Sequence, residues 1–167
     1  MYINKKAFTL IELLVVVLII GILAAIALPQ YRLAVNKSKT AQIMSLIKNI
    51  GQMQQMYHLT NGKYAEKFEE LDISLPNDAI SCGDSCKRIG QWIVHIFPAS
   101  YHGGIYLAVS DMSGVPQIRF TNEKVNGQKG LGCVAPLSDT AADKICQLLG
   151  GKVTDAGVTS ANNFYAL

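Results

Sequence analysis

Charge is missing from residues 13–28, a stretch made almost entirely of Leu, Ile, Val and Ala. Acid is missing over a longer span: no Asp or Glu occurs between Glu12 and Glu66, while Arg32, Lys37, Lys39, Lys48 and Lys63 are all basic. Motifs of enzyme chemistry are missing as well, with no glycine-rich phosphate loop, no G-x-S-x-G elbow and no H-E-x-x-H pair. Cys82-x-x-x-Cys86 is one residue longer than the redox C-x-x-C spacing, and the four cysteines lack the paired knuckles of a zinc site. His58, His95 and His102 share no ligand spacing, and Asp139, Asp143 and Asp155 do not follow a calcium-loop pattern. The balance of 15 basic against 12 acidic residues does not suggest a nucleic-acid partner. The sequence therefore reads as non-enzymatic, with no cofactor and no metal.

What is present begins at the N-terminus. Residues 8–28 carry one ionisable group, Glu12. As a helix they would span about 31 Å, the thickness of a bilayer's hydrocarbon core. A carboxylate in such a helix costs about 2.5–3.5 kcal/mol at mid-membrane and less near an end, so Glu12 needs a partner. Lys5 and Lys6 precede the segment while Arg32, Lys37 and Lys39 follow it, so charge alone does not orient it. The basic residues beyond it suit anionic lipid headgroups, acidic patches of neighbouring subunits, or a plain solvated face. A secretory signal peptide is a rival reading: Lys5-Lys6, an apolar run, and a small-x-small site at Ala25-Ile26-Ala27. Cleavage there would release a soluble exported binding domain starting at Leu28. Glu12 inside the run and Pro29 just after the cut oppose it.

Past Pro29 the helical pattern resumes, with Ile43, Leu46, Ile47, Ile50, Met53 and Tyr57 in one apolar stripe. Met53 and Met56 are expected as core filler. Pro29 removes a backbone hydrogen bond, and Gly21 is a second weak point. Thr60-Asn61-Gly62 is a stop signal. Residues 63–88 lack sustained periodicity and read as a surface connection with a helical turn at residues 66–71. Residues 91–97, 104–110 and 117–121 read as three antiparallel strands, with turns at His102-Gly103-Gly104 and Met112-Ser113-Gly114, and with Trp92 in the core. A short helix is expected over residues 139–149, ended by Gly150-Gly151. The fold class is α+β: a long N-terminal helix, a sheet on its second half and a C-terminal region stapled by cysteines. Cys82, Cys86, Cys133 and Cys146 all lie beyond the apolar segment, and an even count in an exported domain favours disulfides, with three pairings open.

Ala7-Phe8-Thr9-Leu10-Ile11-Glu12-Leu13-Leu14, the apolar run through Ala27, and Leu28-Pro29-Gln30-Tyr31 resemble the N-terminus of type IV pilins and type II secretion pseudopilins. The resemblance implies a pilin-like fold and four parts: a leader at residues 1–7, a membrane and assembly half of the helix at 8–28, an amphipathic half at 29–60, and a globular part at 61–167. It implies that a prepilin peptidase cuts between Ala7 and Phe8 and that the new Phe8 amine is methylated. The family usually has Gly where this chain has Ala7, and small size is kept. Glu12 would be the carboxylate of an assembly salt bridge with a neighbour's Phe8 ammonium, a pairing that offsets part of its desolvation cost. Helix bends are expected at Gly21 and Pro29, and disulfides at Cys82–Cys86 and Cys133–Cys146.

The partners so implied are further copies of the chain, the peptidase, an inner-membrane assembly platform, and membrane lipid before assembly. The subunit would sit in the inner membrane with its N-terminus cytoplasmic, then join an extracellular pilus of the kind used in adhesion and motility. The pseudopilin alternative replaces that pilus with a periplasmic pseudopilus.

Overall fold

From Leu10 to Asn61 the backbone forms one α-helix, α1, in the computed structural model, which describes residues 8–97, 105–110, 114–125, 128–153 and 162–167. Gly62 stops the helix. Its φ of 72° suits a residue without Cβ, and its N–H reaches the His58 carbonyl at 2.8 Å. Two carbonyls of the preceding turn also accept from side chains, Tyr57 O from Asn61 Nδ2 and Met56 O from Thr60 Oγ1, both at 3.0 Å. The chain forms two compact units divided between Val35 and Asn36.

Among the described residues, the second unit is built on an eight-stranded antiparallel sheet. In chain order the strands are β1 (Ile80–Gly83), β2 (Cys86–Ile89), β3 (Trp92–Ile96), β4 (Ile105–Ser110), β5 (Gln117–Val125), β6 (Gln128–Pro136), β7 (Lys152–Val153) and β8 (Asn162–Ala166). Their spatial order is β1-β2-β3-β4-β5-β6-β8-β7. Helix α2 (Thr140–Leu148) connects β6 to β7, and a 3-10 turn at Phe68–Glu70 falls where a helical turn was expected.

Directly paired residues share a face of a sheet. One row runs Val94, Ala108, Ile118, Cys133 and Tyr165 across five strands, each opposite the next. All five are buried, and the row meets the α1 stripe, where Ile43, Ile47 and Ile50 are buried and Leu46, Met53 and Tyr57 partly so. Each fully buried Ile contributes about 1.5–3 kcal/mol. Trp92 joins this core, as its strand position suggested.

Three expectations are corrected. The sheet has eight strands among the described residues instead of three. The supposed surface connection of residues 63–88 contains β1 and most of β2, a hairpin whose register is set from outside: Cys86 opposes His95 and Ile89 opposes Trp92 of β3. Neither strand carries its own apolar alternation, which is why periodicity did not reveal them. Met56 is 60% exposed and not core filler, because it lies about 120° round the helix from Ile50. Gln54, only about 40° from Ile50, is buried in its place. It is satisfied there, with Nε2 donating to Ala65 O at 2.9 Å and Oε1 accepting from Ala65 N at 2.8 Å. The turn expected at His102 to Gly104 lies outside the described residues.

Candidate functional site

The N-terminal part of α1 is long and apolar enough to cross a membrane, and none of its most apolar window is buried within the chain. Phe8, Leu10, Ile11, Leu13 and Leu14 are all more than half exposed, and the large apolar side chains from Val15 through Leu28 and Tyr31 are exposed as well. Gly21 has open space where a Cβ would stand, and Pro29 lies inside the helix without ending it. Ala7, the expected end of the leader, lies outside the described residues.

Glu12 sits in the first turn of α1 and closes it. Thr9, the residue before Leu10, donates both its amide N–H (2.9 Å) and its hydroxyl (2.6 Å) to Glu12 Oε2, and Thr9 Oγ1 accepts from the Glu12 amide at 3.3 Å. This is a reciprocal capping box: two orphan N–H groups of the helix start are satisfied within one turn, beside the positive end of the helix dipole. The sequence carried the signal, Thr9-x-x-Glu12, and Thr9 as the cap partner of Glu12 went unread there. Among the described residues, both hydrogen bonds accepted by the carboxylate end on Oε2, and none ends on Oε1.

At the other end of the chain, α2 is fixed by two aspartates that the sequence analysis weighed as calcium ligands. Asp139 caps α2: Oδ1 accepts from Ala141 N (3.1 Å) and Ala142 N (3.0 Å), while Oδ2 accepts from Gly114 N at 2.6 Å. Asp143 ties α2 to β8, accepting from Tyr165 Oη (2.5 Å) and Asn163 Nδ2 (2.9 Å) on Oδ1 and from Gln147 Nε2 (2.9 Å) on Oδ2. Burial, then the hydrogen bond to Asp143, push the Tyr165 hydroxyl above its ordinary range. Asp155 lies outside the described residues, as does His102. His58 stacks on Tyr64 at 4.3 Å between ring centroids, and His95 lies in β3 near Phe97.

The cysteines pair as Cys82–Cys86 across the β1–β2 turn and Cys133–Cys146 between β6 and α2, with Cα separations of 5.2 and 5.7 Å. The first bridge lies beside two exposed ion pairs, Lys67–Asp84 at 2.9 Å and Lys87–Glu69 at 3.0 Å. The second is buried at both ends.

The prokaryotic N-terminal methylation motif matches residues 3–28, the stretch that holds Glu12 and most of the apolar helix. A type IV major alpha-pilin of Moraxella bovis is 59% identical over 39 residues, which cover 23% of this chain and 24% of that protein. Longer matches reach past the helix. A type IV major pilin of Neisseria gonorrhoeae is 26% identical over 157 residues, covering 90% of this chain and 81% of its own length. No solved structure matches the chain. A fimbrial protein of Dichelobacter nodosus is 32% identical over 149 residues, covering 89% of this chain and 77% of that protein. Similarity of that extent takes in the sheet and the stapled C-terminal region as well as the apolar helix, and the chain belongs to the type IV pilin family.

Proposed function

We propose that this chain is a structural, non-enzymatic subunit of a type IV pilus. It is cut between Ala7 and Phe8 by a prepilin peptidase, methylated on Phe8, held in the inner membrane by residues 8–28, and polymerised through that helix with the help of an inner-membrane assembly platform. The observation that carries this reading is the unpartnered apolar surface of the N-terminal helix with one capped carboxylate in its first turn.

The physical sequence is short. In lipid the lone subunit keeps Glu12 bonded to Thr9, which lowers but does not remove the cost of a carboxylate at membrane depth. After the cut, Phe8 bears an ammonium, and methylation preserves its charge. A neighbour's ammonium meeting Glu12 Oε1 leaves the Thr9 cap on Oε2 intact, so pairing and capping do not compete. Helix-on-helix packing supplies most of the cohesion, because moving apolar side chains from lipid to protein gains packing contacts and not fresh burial from water. The ion pair supplies register. Local loosening at Gly21 and Pro29 lets the helix bend as it enters the bundle; at Pro29 the missing N–H leaves the Ala25 carbonyl without its intrahelical donor.

The pilus is favoured over a secretion pseudopilus because the relatives that cover most of the chain are named as major pilin and fimbrial proteins. N-terminal sequencing of the mature protein tests the reading: a methylated Phe8 start together with long surface filaments containing the chain is expected. A start at Leu28 would establish the released soluble domain in its place. Mature protein beginning at Phe8 but confined to short periplasmic fibres would establish the pseudopilin.

A further inference from the structure

In the second unit a pocket of about 320 Å³ opens between α1 and the β2–β3 turn. That volume lies at the lower end of the roughly 300–1,000 Å³ range of small-molecule sites. Its apolar wall is formed by Ile43, Leu46, Ile89 and Trp92. Around it stand polar groups of both signs: the Lys39 ammonium, the Gln42 and Gln91 amides, and the Asp78 carboxylate.

Gln91 makes this pocket more than a crease. Its Oε1 accepts from Lys39 Nζ at 3.1 Å. An ammonium can only donate, so this contact fixes the amide orientation and rules out the flipped form. The Nε2 end is therefore the donor, and it is buried with no hydrogen-bond partner among the described residues. An unpaired donor beside the pocket is costly, and a ligand oxygen bonded to it would remove that cost.

We infer that this pocket binds a neutral saccharide unit. The donor and acceptor set decides the class. A plain anion would suit Lys39 but be repelled by Asp78, and a plain cation would meet the reverse. A ring of vicinal hydroxyls, each able to donate and accept, matches donors at Lys39 and Gln91 and an acceptor at Asp78 together, while its C–H face takes the apolar wall. None of these residues has a part in the N-terminal helix contacts proposed for assembly.

The chain's single tryptophan, Trp92, lines the pocket and reports on it directly. The full-length protein in a detergent without a sugar headgroup would be titrated with glucose, galactose, N-acetylglucosamine and their disaccharides while Trp92 emission is followed. A saturable shift with at least one of these sugars is expected. It should weaken about tenfold in Gln91→Leu and in Asp78→Asn, the scale of one lost hydrogen bond. Far-ultraviolet circular dichroism and thermal midpoint should match the parent in both variants. Emission unmoved by the whole panel would overturn the inference. So would a shift that survives both substitutions unchanged, or tighter binding of glycine or glutamine, which would make the site one for zwitterions.

Discussion

Gln54 and Ala65, eleven residues apart, are joined by two reciprocal hydrogen bonds, side-chain amide to carbonyl and backbone N–H to side-chain oxygen. This clamp turns the chain leaving α1 back onto the helix and puts Ala65 and Phe68 into the core. Replacing Gln54 by Leu keeps the bulk but strands a buried N–H and a buried carbonyl, and each stranded group costs about 1–3 kcal/mol. The expected loss is about 2–4 kcal/mol in urea denaturation of the full chain. A midpoint equal to the parent would show that the clamp contributes nothing.

Gly51 faces the ring of Phe120, which occupies the space a Cβ would need. On an open helix surface, Gly→Ala gains about 1 kcal/mol from propensity. Here overpacking opposes it at about 1–3 kcal/mol, so Gly51→Ala is expected to destabilise the protein. Phe120→Leu should relieve the clash, and a double-mutant cycle should return a coupling of at least about 0.5 kcal/mol. Additivity would mean the ring simply moves aside.

The Cys133–Cys146 bridge closes a loop of sequence separation 13 and ties α2 to β6. By chain entropy such a loop is worth about 3 kcal/mol. The double variant Cys133→Ala/Cys146→Ala should lose about that much stability. It should also show faster hydrogen exchange in α2 than in β3, because α2 then keeps its side-chain bonds from Asp143 and Gln147 to β8 but loses its covalent tie to β6. Equal loss of protection in both elements would show that the bridge supports the whole sheet.

The segment from Glu66 to the β1–β2 hairpin should be sensitive to acid. Lys67 holds Asp84 below the ordinary carboxylate range, and Lys87 does the same for Glu69. The Glu66 and Lys67 backbone N–H groups lower Glu70. Groups lowered on folding support the fold above their ordinary pKa, about 3.9–4.3, and that support is lost as pH falls through the lowered value. Asp84 in turn raises Lys67, whose support holds below its ordinary 10.5 and fades as pH rises beyond it. Tyr165, raised by burial, adds support that is likewise lost from its ordinary 10.0 upward. Protection against hydrogen exchange in this segment, corrected for the intrinsic rate, should therefore fall below about pH 4 before that of β3 and β5. Because the ion pairs are exposed, the change should be small and should shrink in high salt.

Glu12 and Thr9 separate pairing from capping. Glu12→Ala removes both, and is expected to insert in the membrane normally while filament yield falls sharply. Thr9→Val removes the hydroxyl but leaves the carboxylate and the Thr9 amide position, so assembly should fall only modestly, in line with a cap worth about 1 kcal/mol. Subunit levels by immunoblot and filaments by electron microscopy check both. Normal filament yield in Glu12→Ala would remove the assembly role of the carboxylate.

The sequence by itself determined α1 and its two characters, an uncharged run that no water-exposed fold would keep and a stripe that needs a core. Both are local properties, since a helix makes its hydrogen bonds within four residues and shows its buried face as a simple period. It also determined a short helix near residues 139–149 and the stop at Gly62, for the same reason. The tertiary structure decided the rest. β1, β2, β6 and β8 are strands because neighbours supply their hydrogen bonds: β6, with Gly130 and Gly132, is held between β5 and β8, and a Cβ at Gly132 would meet the Tyr165 carbonyl at 3.3 Å. Cysteine count left three pairings open, and the partners were chosen by strand register, which sets Cys133 opposite Tyr165 and beneath α2. Gln54 and Gly51, unremarkable in the helix pattern, acquired their roles only when Ala65 and Phe120 arrived from elsewhere in the chain. Sheet pairing and close approach depend on residues distant in sequence, so no local pattern records them.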